Sequence, residues 1–369
     1  MQVRIEALRR KFRSLGVSNF IITKFSDIHH ESAANISYLT GFTGSNALLL
    51  VTHRSAYLVT DGRYTNQARE QTQGVEIFEY SGGSTLADGF VLELKKNPKI
   101  RFWGRTGFEV GKMTVDFFQR FSQNFPSVHL IETRDVVERI ASVKDEDEVA
   151  ATRRACAVTD RVFESLIPEV RPGISELDLA AEITYRHMKF GAEKDAFEPI
   201  VASGERSALP HARASARKIR KGDFVTFDIG CFADGYASDM TRTVVVGKAA
   251  AEQKRIYEIV AEAQAKAAEA VAAGVRCADV DGIARTIIMN AGYGERFTHS
   301  LGHGLGREVH GFPRLSKTST EMLTAGQIVT VEPGIYIEGF GGVRIEDDVV
   351  VRPGGREVLN RSPKQLLEL

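Results

Sequence analysis

Four acidic residues stand in stretches that otherwise read as β-strands, where a charge is costly unless something offsets it. FDIGCFADGYASDM carries Asp228 and Asp239 on either side of a turn centred on Ala233 and Asp234. EPGIYIEGFGGVRIEDD carries Glu332 and Glu346 about Gly339, with the turn at Gly339 to Gly342. Residues at equal distances from a hairpin turn face each other. Each hairpin is therefore expected to bring two carboxylates opposite one another, within a shift of a residue or two. Facing carboxylates repel, and one takes up a proton unless a cation lies between them. Oxygen-rich clusters suit hard or borderline divalent ions, and two ions about 3.5–4 Å apart need carboxylates that bridge them. A fifth candidate ligand is His303 in FTHSLGHGLGREVHG, flanked by Gly302 and Gly304, which allow close backbone approach. His299 and His303 have the i,i+4 spacing of a helical zinc motif, but Gly302, Gly304 and Gly306 argue against a helix there. Single acids in turns are usually just solvated, and Asp234 and Asp348 are read that way, as turn and surface acids.

The elements that must position these groups are legible from periodicity. Residues 3–15 read as a helix with Ile5, Leu8, Phe12 and Leu15 on one stripe. Short β-rich runs follow, NFIIT, NALLLVT, SAYLVT and VEIFEY, with a helix-like DGRYTNQAREQTQ among them. ADGFVLELKKN and TVDFFQRFSQNF read as helices, KIRFWG and SVHLIE as strands. This alternation predicts an α/β domain. Texture turns highly charged at ETRDVVERIASVKDEDEVA, so the border is expected between about 131 and 145. Beyond it come a helix over 145–167 stopped by Pro168, a second capped by Ser175 and ended at Gly191, and two more in QKRIYEIVAEAQAKAAEAVAAG and CADVDGIARTIIMNAG. With the two hairpins, this half reads as a duplicated unit of sheet plus paired helices.

At 369 residues two domains are expected. Lys plus Arg and Asp plus Glu number 48 each, so no basic field exists to attract nucleic acid or an anionic membrane. Cys156, Cys231 and Cys277 are odd in number and far apart, which reads as reduced and cytoplasmic. The charged N-terminus is no secretory signal, and no apolar run approaches the roughly 18 residues of a membrane span.

DIGCFADGYASDMTRT, HSLGHGLGREVH, EPGIY and VRIEDD, in this order, resemble the pita-bread metallopeptidases, the group of aminopeptidase P and prolidase. IVASGERSALPHA resembles the segment that carries an active-site histidine of that family, here His211. YLTGFTGSNALLLVT and LVTDGRY resemble the creatinase-type domain that precedes the catalytic one. The resemblance implies a two-domain α/β protein, with a creatinase-like α/β domain over residues 1–135 and a pita-bread α+β catalytic domain over 136–369. It implies two divalent ions, manganese or cobalt with zinc as a further option, on Asp228, Asp239, His303, Glu332 and Glu346, with Asp239 and Glu346 shared. It also implies substrate-side roles for His211 and His310, a further active-site histidine at His299, a supporting arginine at Arg344, and a general-base role for Glu332. The expected substrate is a proline-containing peptide cut at an Xaa-Pro bond, and the expected assembly a homodimer. One departure concerns the position after His310, where the family commonly has an acid and this chain has Gly311.

Two specificities compete within this reading. A dipeptidase must hold the free proline carboxylate with a cation, for which Arg314, Arg63 or a loop from a partner subunit is available, whereas an aminopeptidase leaves that side open. The reading leans to the aminopeptidase. A methionine aminopeptidase is disfavoured by the N-terminal domain. A creatinase-like amidinohydrolase and a non-catalytic binding protein are disfavoured by the five filled ligand positions.

Overall fold

The N-terminal unit of the computed structural model, Met1–Ala141, is built on a six-stranded sheet. The structure describes residues 1–24, 33–83 and 85–369. In chain order this unit runs α1 (Gln2–Leu15), β1 (Asn19–Lys24), α2 (Ala33–Thr40), β2 (Ala47–Thr52), β3 (Ala56–Asp61), α3 (Thr65–Gln71), β4 (Glu76–Tyr80), α4 (Leu86–Lys96), β5 (Gly104–Glu109), α5 (Val115–Asn124), β6 (Val128–Thr133) and α6 (Val136–Ala141). The strand order is β4-β3-β2-β1-β5-β6. β1 to β3 form an antiparallel meander, while β4, β5 and β6 join in parallel.

The apolar runs are continuous rather than alternating because both faces of β1 to β3 are covered. Phe20, Ile22, Leu49, Val51 and Leu58 pack against α1, α2 and α6, while Ile21, Leu48, Leu50 and Val59 pack against α4 and α5. Each fully buried Leu, Ile or Phe here contributes about 1.5–3 kcal/mol. KIRFWG, read as a strand, is not one; β5 begins at Gly104 instead. Its sequence, GRTGFE, has little strand propensity, and pairing between β1 and β6 overrides that. Gly107 has a packing reason, since a Cβ there would lie 2.7 Å from the Phe20 ring. With a border at 135/136, α6 would fall in the second unit, but its Val136 and Val137 pack in the N-terminal core.

The second unit, Ser142–Leu369, has two helix pairs. α7 (Glu146–Leu166) starts at a capping box of Asp145 and Glu148, and α8 (Glu176–Lys189) at one of Ser175 and Asp178. They cover β8 (Ile200–Ser203), β9 (Phe224–Ile229) and β12 (Met240–Val245), an antiparallel sheet in the order β12-β9-β8. Beside it β7 (Lys194–Asp195) pairs with β10 (Cys231–Ala233), and β10 with β11 (Tyr236–Ala237). α9 (Ala251–Ala270) and α10 (Cys277–Asn290) share a core with strands of the second hairpin. β13 (Gly302–Gly304), β14 (Gly311–Leu315), β15 (Ile328–Val331), β18 (Asp347–Arg352) and β19 (Gly355–Val358) form a sheet in the order β14-β13-β15-β18-β19, and β16 (Gly334–Ile337) pairs with β17 (Gly341–Arg344). The expected pairing of a sheet with two helices thus occurs twice. All three cysteines are buried free thiols, and no helix among the described residues is long and apolar enough to cross a membrane.

Candidate metal centre

The two hairpins deliver their acids differently. β15 pairs with β18 and β16 with β17 in one continuous register, and Glu332 and Glu346 fall opposite each other at the break between the two ladders. In the first hairpin Asp228 faces Thr241 rather than Asp239, which lies just ahead of β12. The turn sits at Asp234 and Gly235, both at positive φ, one residue later than read from sequence. His303 is on β13, which pairs with β15 at Gly304 and Val329. Gly302 and Gly304 are required by close approach, since a Cβ would meet Thr330 O at 2.0 Å and Phe312 O at 1.9 Å.

All five acids and imidazoles line one cavity of about 390 Å³, together with His211, His299, His310, Arg314 and Arg344. Asp239, His303 and Glu346 are buried, and each offers a ligand atom within 4.8 Å of the others. His303 Nε2 lies 3.7 Å from Asp239 Oδ2 and 3.4 Å from Glu332 Oε1. Its Nδ1 contacts Gly304 O at 3.2 Å, so a proton there leaves the Nε2 lone pair facing the acids. Burial, then His310, pushes the His303 imidazole down to about 3, which keeps it neutral and fit to ligate. Burial pushes the Glu332 carboxyl up to about 8. Asp239 and Glu346 are also driven upward, by burial first and then by neighbouring acids. Asp228 Oδ1 is buried without a hydrogen-bond partner among the described residues. Uncompensated buried acids around a neutral imidazole, with an orphaned oxygen among them, fit a divalent cation.

Hydroxyls and one arginine aim the acids. Thr241 Oγ1 donates to Glu346 Oε2 at 2.6 Å and Thr330 Oγ1 to Glu332 Oε1 at 3.2 Å. Arg344 is buried, donates to Asp228 Oδ2 at 2.6 Å and to Pro210 O at 3.3 Å, and so tethers the loop carrying His211. His211, His310 and Arg314 are exposed side chains on the cavity wall, and the His303 and His310 rings stand 4.6 Å apart.

Tyr336 is a site residue that the sequence reading did not single out. Its hydroxyl accepts from Arg344 Nη1 at 2.8 Å and lies 2.9 Å from His299 Nε2. His299 Nδ1 in turn lies 2.8 Å from Ser300 O, so both nitrogens of this ring are engaged by protein groups. Burial, then Arg344, pushes His299 down to about 4. The signal was present in EPGIY, because two-residue alternation puts Glu332, Gly334 and Tyr336 on one face. Asp348 needs a correction. It is fully buried, not a surface acid, because β18 runs through the sheet interior between β15 and β19. Asp234 is an exposed turn residue paired with Arg154. Gly311 opens β14, where a Cβ would lie 3.3 Å from Gly304 O.

Residues 150–353 match the profile of metallopeptidase family M24, and residues 4–143 that of the creatinase/prolidase N-terminal domain. The chain is 39% identical to an uncharacterized peptidase, YqhT, of Bacillus subtilis over the whole of both chains. It is similar to the solved structure of an Xaa-Pro dipeptidase from Bacillus anthracis, with TM-score 0.92 and 37% identity over 100% of this chain and 99% of that one. An X-Pro aminopeptidase from Thermotoga maritima gives TM-score 0.88 and 37% identity over 98% and 100%.

Proposed function

The chain belongs to metallopeptidase family M24, and from that premise we propose that it hydrolyses the peptide bond preceding proline in short peptides. The observation that carries this reading is one cavity in which buried Asp239 and Glu346 and half-buried Glu332, all short of cationic partners, stand with Asp228 around a neutral His303. Asp228, Asp239, His303, Glu332 and Glu346 are the residues that would hold two divalent ions. Manganese or cobalt suits this oxygen-rich donor set, and zinc is the further option. Ions held there supply Lewis acidity and an acidified water at neutral pH.

The chain's own groups do the rest. Glu332 accepts the proton of the attacking water and passes it to the departing proline nitrogen. His310 and His211 donate to the carbonyl oxygen as it gains charge. Arg344 and Tyr336 fix the Asp228 carboxylate and the His299 ring, a supporting role of the kind that typically matters 10- to 100-fold. Phe197, Pro199, Ile200 and Pro210 give the cavity an apolar wall for a pyrrolidine ring.

Aminopeptidase and dipeptidase readings divide at the proline carboxylate. Arg314 makes no ion pair among the described residues and its side chain lines the cavity, which favours capture of a free carboxylate and hence dipeptides. Turnover of Ala-Pro against Ala-Pro-Ala in manganese tests this. Preference for Ala-Pro, with KM raised about ten-fold or more in Arg314→Gln, supports the dipeptidase. Equal or better cleavage of the tripeptide, unaffected by that substitution, supports the aminopeptidase.

A further inference from the structure

Two buried charged side chains next to the metal-site acids have no place in the chemistry above. Arg242 follows Thr241 on β12 and is 1% exposed. Asp348 is fully buried on β18, and its Oδ1 finds no hydrogen-bond partner among the described residues. Burying either group is expensive, and packing alone gives no reason for them. Each bonds to the backbone of one central acid. Asp348 Oδ2 accepts from Asp239 N at 2.9 Å. Arg242 Nη1 donates to Glu346 O at 2.5 Å and to Thr241 O at 2.9 Å.

Both residues also reach the same third element, the segment Leu359–Lys364 beyond β19, Asp348 through its backbone and Arg242 through its guanidinium. Asp348 N donates to Asn360 Oδ1 at 2.6 Å, and Leu359 N to Asp348 O at 2.9 Å. Arg242 donates from Nη2 to Ser362 O at 2.9 Å and from Nε to Pro363 O at 3.1 Å. Its remaining bond is to Asp347 Oδ1 at 2.7 Å, so all five guanidinium N–H groups are used. Asp347 also accepts from Lys364 Nζ at 2.6 Å and from Gln264 Nε2 at 2.9 Å. The segment is itself fastened to α7. Asp160 accepts from Arg361 N at 2.7 Å, Ser362 N at 2.9 Å and Ser362 Oγ at 2.6 Å.

We propose that Arg242 and Asp348 are positioning residues that tie Glu346 and Asp239 to one anchor, the segment Leu359–Lys364, which Asp160 of α7 holds in place. Two acids from different hairpins must share ions, and such sites tolerate displacements of only about 0.5 Å. Their backbones belong to separate ladders that meet directly at Thr241, whose O accepts from Glu346 N at 3.1 Å. A common third element braces both acids beyond that one junction. The inference deepens the metal-site reading given above and rests on it.

The test titrates Mn²⁺ into metal-free protein by calorimetry and records the thermal unfolding of the same metal-free samples. Asp348→Ala and Arg242→Lys are expected to bind Mn²⁺ about 10- to 100-fold more weakly than wild type. Asp348→Asn keeps an oxygen acceptor for Asp239 N and is expected within about three-fold of wild type. Asp160→Ala alters a half-buried helix residue outside the core, so it reads the anchor even where a core variant fails to fold. It is expected to lose affinity several-fold while its metal-free unfolding stays cooperative, and its effect is not to multiply with that of Asp348→Ala, since both act through one segment. Wild-type Mn²⁺ affinity in both Asp160→Ala and Asp348→Ala overturns the inference. Absence of Mn²⁺ binding by wild type overturns the metal-site reading and the inference with it.

Discussion

Buried acids occur in both units of the chain, and they are balanced in opposite ways. In the N-terminal unit Asp61 is gripped by Arg63, at 2.8 and 3.0 Å, and by Asn46 at 3.1 Å. Those bonds hold its carboxyl below the usual range. Glu138 follows the same logic. Burial pushes it up, but the Lys112 ammonium at 2.7 Å outweighs that and holds it below its ordinary value. In the second unit Asp239, Glu332 and Glu346 are pushed up instead, because burial and like charges act on them without enough cationic partners. The contrast even separates neighbours in the chain. Asp347 is wrapped by Arg242, Lys364 and Gln264, while Glu346 beside it faces Thr241 and other acids. Burial of an acid therefore says little about function, whereas burial without compensation marks a place for a cation.

Substitutions sharpen this comparison. Asp239→Ala removes an uncompensated acid and is expected to abolish stoichiometric metal binding and cut Xaa-Pro turnover by about a thousand-fold or more, with the fold largely retained by circular dichroism. Full activity in that variant contradicts a shared ligand at this position. His310→Ala leaves the acid cluster intact, so turnover should fall about 10²-fold or more with metal content unchanged; loss of metal would make His310 a ligand rather than a substrate-side group. Asp61→Ala removes a compensated acid and leaves Asn46, fully buried, with an unsatisfied amide. It should lower stability by about 1–3 kcal/mol in denaturant unfolding and change neither metal content nor kcat.

Sequence carried the site further than it carried its supports. Glu332 and Glu346 could be paired from the turn alone, because their hairpin keeps one register through both ladders. Asp228 and Asp239 could not, since the turn falls at Asp234 and Gly235, one residue later than the sequence suggests, and that shift of the centre moves the partner of Asp228 by two, to Thr241. β5 was hidden because its glycines and polar residues are held by neighbours rather than by propensity. Asp348 and Arg242 were illegible for another reason. The bonds that explain them join residues about a hundred positions or more apart, and no local pattern encodes such contacts.

The central claim is that five donors from two hairpins and a glycine-flanked strand hold a pair of divalent ions. Equilibrium dialysis of metal-free protein against Mn²⁺, with metal and protein quantified in the same sample, tests it most directly. Two equivalents of manganese per chain are predicted, and retention of none would contradict the account.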